Sequence, residues 1–351
     1  MRAIVLHEFG PPDMLKYAHV PDPAPRSGEV RIRVHAATVN RVLDVSLRAG
    51  KEPRREPVLP LIPGVDCAGV IDAVGADVTK WKIGNRVAAA GMMPLDPVPE
   101  DGEAYTGPIG MMGIKRPGGF AELVCVPARA VVAVPEGLEF TEAAVIMRHA
   151  PVAWSLLFNA AQLKKNEVVL VMGAGGNLGL AGIQLAKNVA GATVIAVAGS
   201  DDRLNRAVKV GADHCINYNQ QNLYAEVMKI TQGKGVDVLY DNVSNPAVLP
   251  DAFRTLGMNG RLVTAGAHGG PNVEIDFAHL YQKRITIMGR TGASKLDITN
   301  CFAAAAAGKI RGEFELVLPL SAAAEAHRLV ETGQVDGKIV LSPMLDEVDA
   351  S

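Results

Sequence analysis

Gly173, Gly176 and Gly179 recur every third residue, with Gly175 among them, directly after the apolar run VVLVM at 168–172. A run that short and that rich in β-branched residues reads as a buried parallel strand. Glycines at its end let backbone amides approach a pyrophosphate closely. The helix that follows has Leu180, Ala181, Ile183, Leu185 and Ala186 on an apolar side, and its N-terminus favours negative charge. The chemistry advertised is dinucleotide binding by Gly173, Ala174, Gly175, Gly176, Asn177, Leu178 and Gly179. Strict GxGxxG spacing fails, because Leu178 stands where the third glycine belongs and Gly179 comes one residue late. The same glycines would also serve a tight strand-to-helix connection without a ligand.

A second chemical signal lies at the end of the next strand, 193–197. An acidic side chain there hydrogen-bonds a free ribose hydroxyl and repels a phosphate. The sequence VIAVAGSDDRL instead has Ala198 at that place, then Gly199 and Ser200, with Arg203 within reach of a phosphate. This favours NADPH over NADH. Asp201 and Asp202 begin a helix and read more simply as partners of its dipole. Arg203 reads almost equally as a solvated helix-surface cation.

The elements that must position these groups follow from the pattern around them. With 351 residues the chain exceeds one ordinary core and implies two domains, 131–295 for the dinucleotide and 1–130 joined by 296–351 for the rest. From 141 a helical region leads into the glycine turn, with Thr141 as N-cap. Beyond the turn, strands at 193–197, 214–218, 236–240, 261–265 and 285–288 alternate with helices, which argues an α/β fold with a parallel, doubly wound Rossmann sheet. Asn242 and Val243, and then Ala265 and Gly266, follow the C-terminal ends of two strands, where such sheets bind ligands. The first 131 residues are β-rich and punctuated by Gly64, Gly69, Gly75 and Gly84. Residues 92–119 form a long connection without periodicity, either a floppy insertion or a lid over the active site.

Bulk composition excludes several partners. The net charge is −2, from 35 basic and 37 acidic residues spread along the chain, so no attraction to nucleic acid is expected. Cys67, Cys125, Cys215 and Cys301 are scattered, signalling neither a disulfide framework nor a zinc knuckle. No apolar signal core or membrane span is evident, and a cytoplasmic location without membrane partners is the expectation.

The ordered segments GEVRIRV, VNRVLD, LPLIPGVDCAGVIDAVG, GNRV, GGFAEL, GRLVTAG and GKIVL resemble the medium-chain dehydrogenase/reductase superfamily over nearly the whole chain, and the glycine turn and the V-N-x-x-x-D segment look most like its quinone oxidoreductase branch. The resemblance implies a GroES-like β-rich catalytic domain beside the Rossmann domain. It also implies a homodimer, paired edge to edge through the strand RITIMG. In the zinc branch, cysteine, histidine and a third cysteine or acid hold a metal. Here Arg41 stands at the first of those positions and Gly64, Val65 and Asp66 replace Gly-His-Glu, while the third falls near Arg148. No zinc is therefore expected, and His149 beside Arg148 reads as a packed histidine.

Without a metal, the resemblance implies hydride transfer from NADPH to a small-molecule quinone or α,β-unsaturated carbonyl. Asn40 matches the family asparagine near the nicotinamide and would bond a substrate oxygen or the carboxamide. Arg41 would stabilise a developing oxyanion, or else point to solvent. The tyrosine of many relatives is missing from GKEPRREPV, and Tyr105 in the long connection is the candidate replacement as proton donor. Asp44 and Arg48 read as a helix-side pair or as residues that fix the domain core, and Lys338 and Arg290 as phosphate or ribose contacts or surface cations. Alternative readings are a zinc-type alcohol dehydrogenase or carbonyl reductase, and a protein that binds cofactor without catalysis.

Overall fold

The computed structural model describes residues 1–51, 56–96, 107–335 and 337–348. Contacts divide the chain into two units, Met1–Arg148 with Arg311–Ser351, and His149–Ile310. The first unit opens with the antiparallel pair β1 (Arg2–Leu6) and β2 (Leu15–His19). A longer strand, β3 (Glu29–Val39), pairs antiparallel with β4 (Asp66–Val74), and β4 with β5 (Arg86–Ala90). The short ribbon β6 (Met92–Pro94) and β7 (Ile109–Met111) precedes β8 (Leu123–Pro127), which also pairs with β3, and β9 (Val131–Ala133), which pairs with β5. Val30, Ile32, Val34, Ile71, Val87, Val124 and Phe120 fill the core between these strands.

The unit boundary falls inside helix α2 (Phe140–Trp154), counting as α1 the single turn Ser46–Arg48. The second unit is a six-stranded parallel sheet of β10 (Val168–Met172), β11 (Thr193–Ala198), β12 (His214–Asn217), β13 (Val236–Asp241), β14 (Leu256–Thr264) and β15 (Thr286–Gly289), in the order β12-β11-β10-β13-β14-β15. This is the doubly wound order, with its switch point between β10 and β13. The central strands are buried on both faces, which is why their sequences are continuous apolar runs. Helices α3 (Asn177–Gln184), α4 (Asp201–Lys209), α5 (Leu223–Ile230), α6 (Leu249–Arg254) and α7 (Phe277–Gln282) connect them. Helix α8 (Lys295–Ala306) stays with this unit instead of joining the returning tail, because Asp297 accepts from Asn159 at 2.9 Å and Cys301 and Phe302 are buried.

The chain then returns to the first unit as β16 (Phe314–Pro319), helix α9 (Ala323–Thr332) and β17 (Lys338–Ser342), ending in α10 (Met344–Val348). Its seven-stranded sheet runs β16-β17-β3-β4-β5-β9, with β8 against β3. The register decides what meets what. Val340 lies opposite Thr38 and Ile339 opposite Val39, so the next step sets Lys338 across from Asn40. On the other edge of β3, Ala36 faces Ala68, and the same register continued sets Thr38 beside Asp66. No helix among the described residues is long and apolar enough to cross a membrane.

Candidate active site

Residues 41–45 form a π-helical turn directly after β3, with Asn40 as its N-cap in extended conformation. π-Turns of this kind are frequent at functional sites. This one returns the Asp44 carboxylate to its own start, where Oδ2 accepts from the Asn40 backbone N–H at 2.8 Å and from Asn40 Nδ2 at 3.0 Å. Asp66 completes the cluster from β4. Its Oδ1 accepts from the Thr38 N–H at 2.7 Å, and its Oδ2 from Thr38 Oγ1 at 2.6 Å and Asn40 Nδ2 at 3.1 Å. Lys338 closes it, donating to Asn40 Oδ1 at 2.6 Å and to Thr38 Oγ1 at 3.1 Å. All five side chains are buried, Asn40 the most exposed at 6%.

Burying two carboxylates and an ammonium together shifts their ionisation. Burial, reinforced by the charge of Asp66, pushes the Asp44 carboxyl up to about 6. Burial, with Arg148 acting in the same direction, pushes the Lys338 ammonium down to about 8, against the pull of Asp66 and Asp44. Asp44 Oδ1 is buried without a hydrogen-bond partner among the described residues.

Several expectations change here. Lys338 is not a surface cation but the buried cation of this cluster, 3% exposed. Asp44 and Arg48 do not pair: Asp44 turns to Asn40, and Arg48, itself buried, donates to the Gly10 carbonyl at 2.5 Å and Glu331 at 2.7 Å. Arg41 is exposed and donates to the carbonyl of Glu331 at 3.2 Å. Both polar ends of Asn40 are engaged within the protein. Tyr105 lies outside the described residues.

The part of the long connection that is described is a packed structure. Gly113, Gly118 and Gly119 return it onto the Gly64–Asp66 stretch so closely that an added Cβ would lie 2.6 Å from the Gly64 carbonyl oxygen, 2.3 Å from the same atom, and 2.3 Å from that of Asp66. These backbone approaches pin the segment beside the carboxylate cluster; no side chain fits in any of them.

The second constellation belongs to the other unit. Gly173 has φ +65°, and a Cβ on Gly179 would meet the Gly173 carbonyl oxygen at 2.4 Å, so α3 packs tightly on the end of β10. Gly175 takes the stem of Arg203, whose Cβ would lie 2.5 Å from an added methyl. Gly176 differs, since a Cβ there would meet only the Gly173 oxygen at 3.5 Å and otherwise project into open space. Gly176 caps α3 without a side-chain bond, leaving the first-turn N–H groups of Asn177, Leu178 and Gly179 for a ligand. At the switch point the side chain of Asn242 lies against Gly173, and its buried Nδ2 has no partner among the described residues. Asp241 holds this corner, accepting from the N–H groups of Val243 and Ser244 and from Thr264 Oγ1, while Ser244 donates to the Gly266 carbonyl at 2.6 Å. Open space, uncapped amides and an orphaned buried donor in one corner fit a bound dinucleotide.

Beyond the cradle, Ser200 caps α4 without using its hydroxyl on the helix. Asp201 is engaged, accepting from Asn217 Nδ2 at 2.7 Å. Arg203 is exposed and unpaired among the described residues. Tyr218 went unnoticed in the sequence. Its hydroxyl would lie 2.6 Å from a Cβ on Gly199, which puts a donor next to the residue before Ser200. The only available signal was its place one residue beyond the third strand of the sheet.

A profile described as the alcohol dehydrogenase GroES-like domain matches residues 26–136, and one described as zinc-binding dehydrogenase matches 177–307. The human quinone oxidoreductase is 31% identical over 349 residues, 97% of each chain. The chain belongs to the medium-chain dehydrogenase/reductase superfamily. An NAD-dependent alcohol dehydrogenase of Sulfurisphaera tokodaii is 30% identical, covering 98% of this chain and 100% of its own. Among solved structures, a 2-haloacrylate reductase superposes with a TM-score of 0.80 at 27% identity, covering 98% of this chain and 99% of its own. As a medium-chain dehydrogenase/reductase, the protein is an oxidoreductase near the quinone oxidoreductase branch, built on the GroES-like and Rossmann folds, that uses a nicotinamide cofactor on small molecules.

Proposed function

We propose that this chain is an NADPH-dependent reductase that passes hydride to the electrophilic carbon of a quinone or an α,β-unsaturated carbonyl without a metal. The observation that carries the metal-independent part is the state of Asp66. Both of its oxygens are committed to Thr38 and Asn40, and a cation bound to them would displace those bonds and meet a buried ammonium already in place. Val65 offers no donor, and Arg41 is turned to the Glu331 carbonyl. The residues present do not fit a zinc site.

The dinucleotide fits the second unit. Gly176 and the first-turn amides of α3 would hold the pyrophosphate, with Asn242 Nδ2 as a side-chain donor at the switch point. Ser200, Arg203 and Tyr218 would hold a ribose phosphate; of the two acids that open α4, Asp201 is bonded to Asn217 and Asp202 is exposed. The bound nicotinamide supplies the hydride. Arg41, turned to the Glu331 carbonyl, is not assigned the oxyanion role, and the proton would come from Tyr105 or from solvent. The exposed edge strand β15, with Ile287 outward, supports a homodimer through that edge; a monomer in sedimentation at micromolar concentration would refute it.

Chelator-dialysed protein should oxidise NADPH in preference to NADH with a small quinone or an enone, and less with a simple aldehyde. Replacing Arg203 with alanine should reduce the preference for NADPH about tenfold, the worth of one charge-assisted bond. Turnover that appears only when zinc is added would overturn the metal-free reading, and an unchanged preference would overturn the role of Arg203.

A further inference from the structure

Tyr240 is buried completely in β13, opposite Val171 of the strand that feeds the glycine turn. A phenylalanine would fill the same space. What the tyrosine adds is a hydroxyl, and it donates to the carbonyl of Leu178 in the first turn of α3 at 3.0 Å. The ring reaches that carbonyl across Gly182, where an added Cβ would lie 3.0 Å from Cε1 and Cζ. Leu178 and Gly182 stand one helical turn apart, so the helix face turned to β13 is cleared for this one contact. Burial, reinforced by the charge of Asp241, raises the hydroxyl well above its ordinary range and keeps it a donor.

The carbonyl of Leu178 and the N–H of Gly179 are two ends of one peptide unit. Within α3 the carbonyl takes the N–H of Gly182 with one lone pair and has a second to give. At the other end, the first N–H used inside the helix is that of Leu180, given to the Gly176 carbonyl at 2.8 Å, which leaves the N–H of Gly179 over. We propose that Tyr240 is a positioning residue for the cofactor's pyrophosphate, holding the Leu178–Gly179 peptide from behind so that the first turn of α3 presents its free N–H groups in a fixed and polarised state. A hydrogen bond accepted at the carbonyl strengthens the N–H of the same peptide as a donor. The buried, unpartnered Nδ2 of Asn242 in the same corner marks where the anion would lie. The proposal rests on the dinucleotide reading above.

Tyr240→Phe keeps the ring over Gly182 and removes only the hydroxyl. The folded variant should bind NADPH and NADH each about fivefold more weakly, the worth of one hydrogen bond, and by the same factor, because the two cofactors share the pyrophosphate and differ at the ribose phosphate. The amide nitrogen resonance of Gly179 should also shift in the cofactor-free variant. A merely structural role changes the melting temperature and leaves the affinity of the folded protein as it was. If the phenylalanine variant does not fold, Gly182→Ala displaces the hydroxyl from the other side and should show the same equal loss. Unchanged affinities overturn the proposal, as does a loss confined to one cofactor or an unmoved Gly179 resonance. A wild-type protein that prefers NADH, with both affinities falling equally in the variant, overturns the NADPH reading instead and leaves the role of Tyr240 standing. A wild-type protein that binds neither cofactor overturns both.

Discussion

Lys338 and the two carboxylates are expected to behave as one energetic unit, and a double-mutant cycle measures it. The ammonium reaches Asp66 through the Thr38 hydroxyl, 3.1 Å and then 2.6 Å, which places it no more than 5.7 Å from Asp66 Oδ2. At the effective dielectric of about 20 that suits buried sites, two unit charges at that separation attract by about 3 kcal/mol. Asp66→Asn leaves the lysine charge facing only Asp44 and weakens acceptance from Thr38 and Asn40. Lys338→Met leaves two carboxylates facing each other. Each single change should cost about 3–5 kcal/mol, as removal of one partner from a buried pair does. The double change removes both charges and should cost about 3 kcal/mol less than the two single costs together. Urea unfolding read from Trp81, whose indole donates to the Ala128 carbonyl in the same unit, isolates this domain when Trp154 is replaced by phenylalanine. Costs that add to within about 0.5 kcal/mol would refute the coupling, because independent sites add to that accuracy.

Two further predictions follow from the glycine turn and from the buried carboxyl. Gly179→Ala forces a methyl to 2.4 Å from a carbonyl oxygen and should lower both stability and cofactor affinity, whereas Gly176→Ala, with φ −83° and open space ahead, should leave the melting temperature within about 2 °C and weaken NADPH binding at least about tenfold. Equal melting temperatures for the two variants would contradict the packing argument, and unchanged binding by Gly176→Ala would contradict the cradle. Asp44 is raised from 3.8 to about 6 in the folded chain, so its contribution is fully present below pH 3.8 and is lost as pH rises through 6. Two pKa units correspond to about 3 kcal/mol, and the stability difference between wild type and Asp44→Asn should change by that order between pH 4 and 6.5. A difference that stays flat across that window would show that Asp44 titrates normally.

What could be read from the sequence was whatever depends on neighbours in the chain. The strand at 168–172 was legible to the residue because a continuous β-branched run has no other use between two helices. The glycine turn was legible because three-residue spacing after a strand is a local backbone requirement. The pairing of Asp44 with Arg48 was also a local inference, from spacing on a regular helix. The pair does not form, because residues 41–45 take a π-turn, which returns Asp44 to Asn40 while Arg48 turns to Gly10 and Glu331; the other reading of the two, as residues fixed in the core of the domain, agrees with their burial. Lys338 shows the opposite limit. Nothing within ten residues of it marks a buried cation, and in GKIVL it looks like the polar start of an edge strand. Its burial follows from the antiparallel register of β17 on β3, which brings it to Asn40 from 298 positions away and leaves an ammonium where only paired acceptors make burial tolerable. Tyr218 is a smaller case of the same kind, since its meeting with Gly199 depends on Ala198 lying opposite Asn217 between β11 and β12. A register can be inferred once a partner strand is known, and a buried charge can be inferred only after the register. The cluster that depends on Lys338 therefore becomes visible only in three dimensions, even though each of its residues was in plain view.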